Sequence, residues 1–477
     1  MKRLLLILGL GVWMGLAAGH DAVRADGGTE QASSPLPAAT APETAPEAVA
    51  ERPVSEADSA EAQRRHEQGR RLYFQGRFEQ AIEVLQAAVA ADPTRSAYRL
   101  LLARALRRAG HDDRAVEMLE VILEANPEHV EAGLELAELL DPEAEPERVI
   151  AVLEPLLPYK TDFPLYYMLA VAWSQRAAVA DEPVEAPKAR QKARGYFERA
   201  VELNPHSADS HLQLGNIYLA ETQYARAAEA YEKAGELGID SAAYHFRLAT
   251  VYYNLRNYLG PIRRIEVIGG EVGQITPHPL LLIDPVPGHK DTFLAVGPRS
   301  AIFCAARAAE MGIDMPELTL LKANTWLNAR RFEKADALYR ELEAVVQADD
   351  EGLMWYYWAQ AALGLDDLDA YLERLEKAIA LEPEVYEPTR ADAYVTVANR
   401  HHQRGEQDKY LEYLGKAVET NPLSVSLQLT YGDALYQAGR TREAIRTYHL
   451  VLELDAEHPR RVELLNRIRR HEAARGG

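Results

Sequence analysis

The feature that most constrains this chain is a self-similarity with a period of 34 residues. Residues 65–93 read RHEQGRRLYFQGRFEQAIEVLQAAVAADP, and residues 99–127 read RLLLARALRRAGHDDRAVEMLEVILEANP. When these segments are aligned, small residues and prolines coincide: Gly69 with Ala103, Gly76 with Gly110, Ala81 with Ala115, and Pro93 with Pro127. A period of about 20–50 residues is typical of stacked repeats, in which each unit buries its apolar face against the next.

Each unit contains a small residue in a first helix, a turn that often carries Gly, and an Ala early in a second helix. The fifth unit, DSHLQLGNIYLAETQYARAAEAYEKAGELGID, shows the pattern in Gly215, Tyr218, Ala227, Tyr231 and Ala234. This pattern resembles the tetratricopeptide repeat, a family of helix–turn–helix units. Small residues allow two helices to approach closely, while larger side chains fill the space between them. The resemblance implies an all-α fold, a right-handed α-solenoid.

The repeat covers most of the chain. Units starting at residues 62, 96, 130, 163, 208, 242, 316, 352, 391 and 425 give about ten helix pairs over residues 62–459. A C-terminal capping helix and tail are expected over residues 459–477. Aromatic residues at the core positions of the repeats, among them Trp173, Tyr252 and Trp326, are expected to be buried packing residues.

The repeat phase slips in two units. In the sixth, Pro261 stands where an Ala is expected, and the second helix resumes at Ala301, which indicates an insertion of 40 residues at about 258–298. The insertion contains short apolar runs separated by Gly and Pro, so we predict a small β-hairpin or β-patch that packs on the helices. In the fourth unit, the displaced Ala193 indicates a smaller insertion at about 180–190.

The first 60 residues have a different composition from the repeats. Lys2 and Arg3 precede an apolar stretch over residues 4–18, and small residues offer cleavage sites near Ala18 or after Ala25. This pattern predicts a signal peptide over residues 1–25, with an uncleaved signal anchor as the alternative. No cysteine lies near the cleavage region, so we expect no lipoprotein anchor. The segment 26–60 is rich in Ala, Pro and Glu and predicts a disordered linker.

Composition limits which classes of partner can bind and whether disulfides can form. The chain contains 73 acidic and 53 basic side chains, a formal charge of −20, which disfavours nucleic acid as a partner. It has a single cysteine, Cys304, so no disulfide can form within the chain. After removal of the signal peptide we expect no transmembrane segment and a periplasmic or secreted protein.

The sequence contains no pattern typical of an active site. His278, Asp284, His289, Lys290 and Asp291 lie in the insertion, where Asp-Pro and Gly-His-Lys-Asp are ordinary turn residues. Cys304 lies near a helix start, but its neighbours favour a buried small residue over a reactive thiol. GGEVG lacks the Lys-Ser/Thr of a phosphate loop, and no HExxH, GxSxG or CxxC occurs. We therefore expect no catalysis, no cofactor and no metal.

Candidate binding residues come from the family resemblance, which implies a concave groove lined by the first helix of each unit. Groove positions carry asparagines that can hydrogen-bond a peptide backbone, although solvated polar positions would look the same: Asn216, Asn254, Asn324, Asn328 and Asn399. The first two units instead carry arginines that predict a dock for an acidic peptide or a carboxylate terminus: Arg70, Arg104, Arg107 and Arg108.

These observations predict an exported, non-catalytic scaffold that mediates protein–protein interactions in a bacterial cell envelope. Its partners would be proteins or peptides, bound through the concave groove and the inserted β element. The alternative is an accessory subunit of a polysaccharide or outer-membrane export or assembly machine. The sequence leaves the identity of the partner and the oligomeric state open.

Overall fold

The fold was obtained as a computed structural model, which describes residues 55–140, 145–179, 185–268, 271–272, 280–345 and 351–476. The predicted signal peptide, the linker up to residue 54 and part of the repeat-four insertion lie outside the described residues. The described chain falls into two compact units, one ending at Ile239 and the other starting at Asp240.

The N-terminal unit consists of five helix pairs. Its helices are α1 (Glu56–Phe74), α2 (Phe78–Ala91), α3 (Ser96–Ala109), α4 (Asp112–Ala125), α5 (Val130–Leu139), α6 (Pro146–Leu153), α7 (Phe163–Val179), α8 (Glu185–Leu203), α9 (Ala208–Ala220) and α10 (Tyr224–Glu236). Helix α1 begins ahead of the expected unit start at 62, because Ser55 and Asp58 form a capping box that satisfies the first free backbone N–H groups.

The C-terminal unit contains five more helix pairs and a sheet. Its elements are α11 (Ala242–Asn254), β1 (Arg263–Ile268), β2 (Glu271–Val272), β3 (Leu281–Pro285), β4 (Thr292–Val296), α12 (Ala301–Glu310), α13 (Pro316–Asn328), α14 (Phe332–Glu343), α15 (Glu351–Gly364), α16 (Leu368–Leu381), the short α17 (Pro383–Tyr386), α18 (Arg390–Gln403), α19 (Gln407–Thr420), α20 (Val425–Gln437), α21 (Thr441–Leu454) and α22 (Arg461–Gly476). The predicted helical solenoid with a small inserted sheet is confirmed.

The inserted strands form one antiparallel sheet in the order β2-β1-β4-β3. The sheet lies between α11 and α12 in the chain, and these two helices pack together as a pair. At the start of α12, the backbone N–H of Ala301 donates to the carbonyl of Asn257, just after α11, at 3.0 Å. Asp284 of β3 fastens the sheet to the start of α14 through the N-cap residue Arg331 at 3.0 Å and through Lys334 at 2.7 Å. Asp284 is therefore not the ordinary turn residue that was expected but a partly buried strand residue that anchors the sheet.

The core is built on close contacts between the two helices of a pair. A Cβ placed on Gly215 of α9 would lie 2.7 Å from the ring of Tyr231 on α10, and one on Gly432 would lie 2.8 Å from Tyr448. The small residues of the repeat therefore make room for a large side chain from the second helix. Trp173, Tyr252, Trp326 and Cys304 are all buried, as expected from their repeat positions.

The turn between the helices of a pair uses the left-handed backbone region. Glycines take this conformation in several repeats, and four other repeats place a non-glycine residue there with φ between 57° and 62°: Thr222, Arg256, Arg330 and Asp366. Residues with a Cβ are strained in this region, so packing of the helix pair must hold these turns closed.

Candidate functional site

Two of the four predicted docking arginines are occupied by neighbouring carboxylates. Arg104 on α3 bonds Glu135 at 2.6 Å and lies 3.4 Å from Glu131, both on α5. Arg107 bonds Glu138 at 2.6 Å and lies 3.6 Å from Glu135. An acidic partner would have to displace these glutamates, so the expected patch of four open arginines is reduced.

The ion pairs with these glutamates also raise the pKa of both arginines. Burial opposes the charge of Arg104, but the hydrogen bond and the charge of Glu135 outweigh it and raise the pKa of the guanidinium. The hydrogen bond to Glu138 likewise raises the pKa of Arg107. Both arginines thus act as cross-links between the second and third repeats.

The other two arginines of the predicted patch remain open. Arg70 and Arg108 are exposed and form no ion pair with any residue that the structure describes. The guanidinium carbon of Arg108 lies 6.0 Å from the centre of the Phe78 ring.

Asn216 and Asn324 are directed into the protein interior. Each lies on a first helix, is buried, and accepts a hydrogen bond from a tyrosine of the second helix: Tyr231 at 2.7 Å and Tyr339 at 2.5 Å. The prediction that these two asparagines contact a partner in the groove is wrong, because their side-chain oxygens accept hydrogen bonds from buried tyrosine hydroxyls.

This pairing has a sequence signal that groove-position reasoning missed. In both cases the tyrosine follows the polar residue by 15 positions, and Asp433 is related to Tyr448 in the same way at 2.8 Å. Asn399 has Leu414 at that distance along the chain, and its side chain is exposed. The residue 15 positions later, in the second helix, therefore indicates whether a polar residue at this repeat position is buried by a tyrosine or exposed to solvent.

Asn254 and Asn328 lie at the ends of α11 and α13. The side-chain amide of Asn254 donates to the backbone carbonyl of Thr250 at 2.8 Å. The amide of Asn328 donates to the carbonyl of Asn324 at 2.8 Å and to the hydroxyl of Tyr253 at 3.2 Å, so it joins two repeats. The side chain of Asn328 is nevertheless exposed.

Tyr253, which bonds Asn328, belongs to a group of partly buried tyrosines. The rings of Tyr253 and Tyr258 meet edge to face with centres 5.6 Å apart, and both residues are partly buried. Burial and the nearby hydroxyls of Tyr357 and Tyr258 raise the pKa of Tyr253, and burial raises that of Tyr357. We call Tyr253, Asn254, Tyr258, Asn328 and Tyr357 the tyrosine–asparagine face. Its three tyrosines were not among the predicted site residues.

The described part of the chain shows no assembled metal site. Within it, no group of three or more His, Cys, Asp and Glu side chains is placed to hold an ion. None of its helices has the length and apolar character needed to cross a membrane. His278 lies outside the described residues.

Comparison with known proteins supports the repeat assignment. Residues 72–128 and 190–242 match models of the tetratricopeptide repeat. These two stretches are tetratricopeptide repeats. No curated protein matches it.

Several solved structures are similar to part of this chain. MamA from Desulfovibrio magneticus RS-1, solved from its residue 41 to its end, is 22% identical with a TM-score of 0.32, over 37% of this chain and 94% of that fragment. PilF from Pseudomonas aeruginosa is 17% identical with a TM-score of 0.32, over 42% of this chain and 86% of PilF. A tetratricopeptide repeat protein from Parabacteroides merdae is 13% identical with a TM-score of 0.34, over 63% of this chain and 99% of that protein.

Proposed function

We propose that this protein is an exported, non-catalytic scaffold that binds protein partners through the first helices of its repeats. The observation that carries the proposal is the tyrosine–asparagine face. Tyrosine combines a large apolar ring with a hydroxyl, and this combination makes it frequent at the centres of protein interfaces.

The geometry of the face suits an extended polypeptide. Helices α11, α13 and α15 are the first helices of three successive repeats; α13 contacts the other two, and all three contribute side chains to it. Asn328 is exposed, and its side-chain oxygen can accept a hydrogen bond from a peptide backbone N–H, while its amide nitrogen already donates to Asn324 and Tyr253. Partly buried tyrosine rings beside it lose little rotamer freedom on binding, so they can supply contact area at a low entropic cost.

Site-specific photo-crosslinking tests this proposal. A photoreactive amino acid replaces Asn328 in one variant and Ala337 in a second, because Ala337 is exposed on the second helix α14. We expect the first variant to form discrete protein adducts in an envelope extract and the second to form none. Equal labelling at both positions, or no adduct at either, would contradict the assignment of this face.

The location is a separate part of the proposal. Lys2, Arg3 and the apolar stretch over residues 4–18 support export through a cleaved signal peptide. We expect the mature protein in the periplasm or the medium, with a new N-terminus near Gly19 or at Asp26. Fractionation followed by N-terminal sequencing measures this, and an intact N-terminus in the cytoplasmic fraction would refute it. In the photo-crosslinking experiment, adducts between the Asn328 variant and an export pore would favour the alternative, an accessory subunit of an export or assembly machine.

A further inference from the structure

A strip of aromatic side chains, one exposed and two partly buried, lies where the first helix ends and the second begins. The side chain of Phe74 is 79% exposed, although Phe is a residue that folded proteins usually bury. Its ring meets Tyr73 edge to face at 5.5 Å, and Tyr73 meets Phe78 at 5.6 Å. These three rings, with Arg70 and Arg108, form what we call the aromatic–arginine surface.

A shallow, open cavity lies beside this strip, closer to a surface depression than to an enclosed pocket. It has a volume of about 340 Å³ and lies between the turn that joins α1 to α2 and the end of α3. Its lining combines the Phe78 ring with polar and small residues: Gly76, Arg77, Phe78, Glu79, Gln80 and Ala109.

The charge around the cavity is positive. Arg70, Arg77 and Arg108 are exposed and form no ion pair with the described residues. The cavity is lined by one carboxylate, Glu79, and that carboxylate is already bonded to His111 at 3.2 Å. Open arginines beside an exposed aromatic ring are a combination enriched at protein interfaces.

We propose that the aromatic–arginine surface binds an acidic protein segment that carries one aromatic or large aliphatic side chain. The apolar side chain packs against Phe74 and Phe78 and enters the cavity. Its flanking carboxylates pair with Arg70 and Arg108, which can each bind a carboxylate through two N–H donors. The tyrosine–asparagine face belongs to the other unit of the chain, so this second site succeeds or fails independently of the first.

The surrounding charges favour a short segment over a long polyanion. The protein carries a net charge of −20, and the adjoining helix α5 holds Glu131, Glu135 and Glu138. A nucleic acid or an anionic membrane would have to approach this acidic surface as well, whereas a short peptide contacts the arginines alone.

Peptide binding by fluorescence anisotropy tests the proposal. The probe is a fluorescein-labelled peptide with one Phe flanked by three Glu residues on each side. Two comparison peptides replace the Phe by Ala or every Glu by Lys. We expect saturable binding of the probe that weakens as salt is added, weaker binding of the Ala peptide, and none of the Lys peptide.

Variants of the full-length protein locate the site. Arg70→Glu with Arg108→Glu is expected to weaken binding by roughly tenfold or more, and Phe74→Ser by a similar factor. Arg114→Glu is the matched control, because Arg114 is an exposed arginine of α4 with no ion pair among the described residues. An equal loss in the control, equal affinity for the Lys peptide, or no binding below about 1 mM would overturn the proposal.

Sedimentation velocity distinguishes one competing occupant, a second copy of this chain. A concentration-dependent dimer that Phe74→Ser abolishes, together with no peptide binding, would assign the surface to self-association and overturn the proposal. A monomer that binds the probe supports it.

Discussion

The hydrogen bond between Tyr339 and Asn324 provides a direct test of whether this asparagine is structural. Tyr339 is fully buried, Asn324 is 1% exposed, and the amide nitrogen of Asn324 has no partner among the described residues. Replacing Tyr339 by Phe removes the hydroxyl while keeping the ring. Both polar atoms of a buried amide then lack partners, which costs about 1–3 kcal/mol of unfolding free energy.

The assay is urea unfolding followed by tryptophan fluorescence, because Trp326, Trp355 and Trp358 all lie in the C-terminal unit. With a denaturant slope of about 2 kcal/mol per M, the expected loss lowers the midpoint by about 0.5–1.5 M. The double variant Asn324→Leu with Tyr339→Phe is expected to be more stable than the Tyr339→Phe single variant, because it leaves no buried polar atom unsatisfied.

The equivalent pair in the fifth repeat serves as a control. Tyr231→Phe also removes the tyrosine hydroxyl that donates to a buried asparagine, Asn216. The amide nitrogen of Asn216, however, keeps its hydrogen bond to Gln213 at 3.0 Å. We expect a smaller loss there. A cost below about 0.5 kcal/mol for Tyr339→Phe would refute the reasoning, as would a double variant less stable than the single one.

Three further predictions concern helix packing, turns and acid stability. Gly215→Ala should cost about 1–3 kcal/mol in a thermal melt, since the added methyl group would lie 2.7 Å from the ring of Tyr231; an unchanged melting temperature would argue against this close contact. Arg330→Gly should stabilise the protein by about 0.5–1 kcal/mol in urea, because it relieves a turn held at φ 57°, and a loss of stability would contradict that view. Burial opposes ionisation of Asp433, but the hydrogen bonds from Arg460 and Tyr448 together with the charges of Arg460 and Arg467 outweigh it and lower the pKa. The stability that this carboxylate contributes is therefore present above a pH of about 4 and is lost as the pH falls through the lowered pKa. Asp433→Asn should consequently lose less stability than the parent protein between about pH 5 and pH 2. Thermal melts at both pH values measure this difference.

The repeat, its phase and the position of the sheet could be predicted because they depend on local spacing. Each helix pair contacts only its neighbours, so small residues and turns recur at fixed intervals and a displaced Ala301 reveals an insertion. The candidate site was less predictable. Asn216 and Asn324 occupy groove positions by the count of the repeat, yet the tyrosine on the partner helix directs their side chains inward.

The sequence by itself determined the stacked helical architecture and the place where it is interrupted, because the period of 34 residues is a property of nearest neighbours along the chain. Only the tertiary structure decided which polar side chains are free. Arg104 is paired with Glu131 and Glu135 of the next repeat, while Arg108 is left open a single helical turn away. The reason is physical: charge pairing depends on distances between helices, and those distances are set by packing.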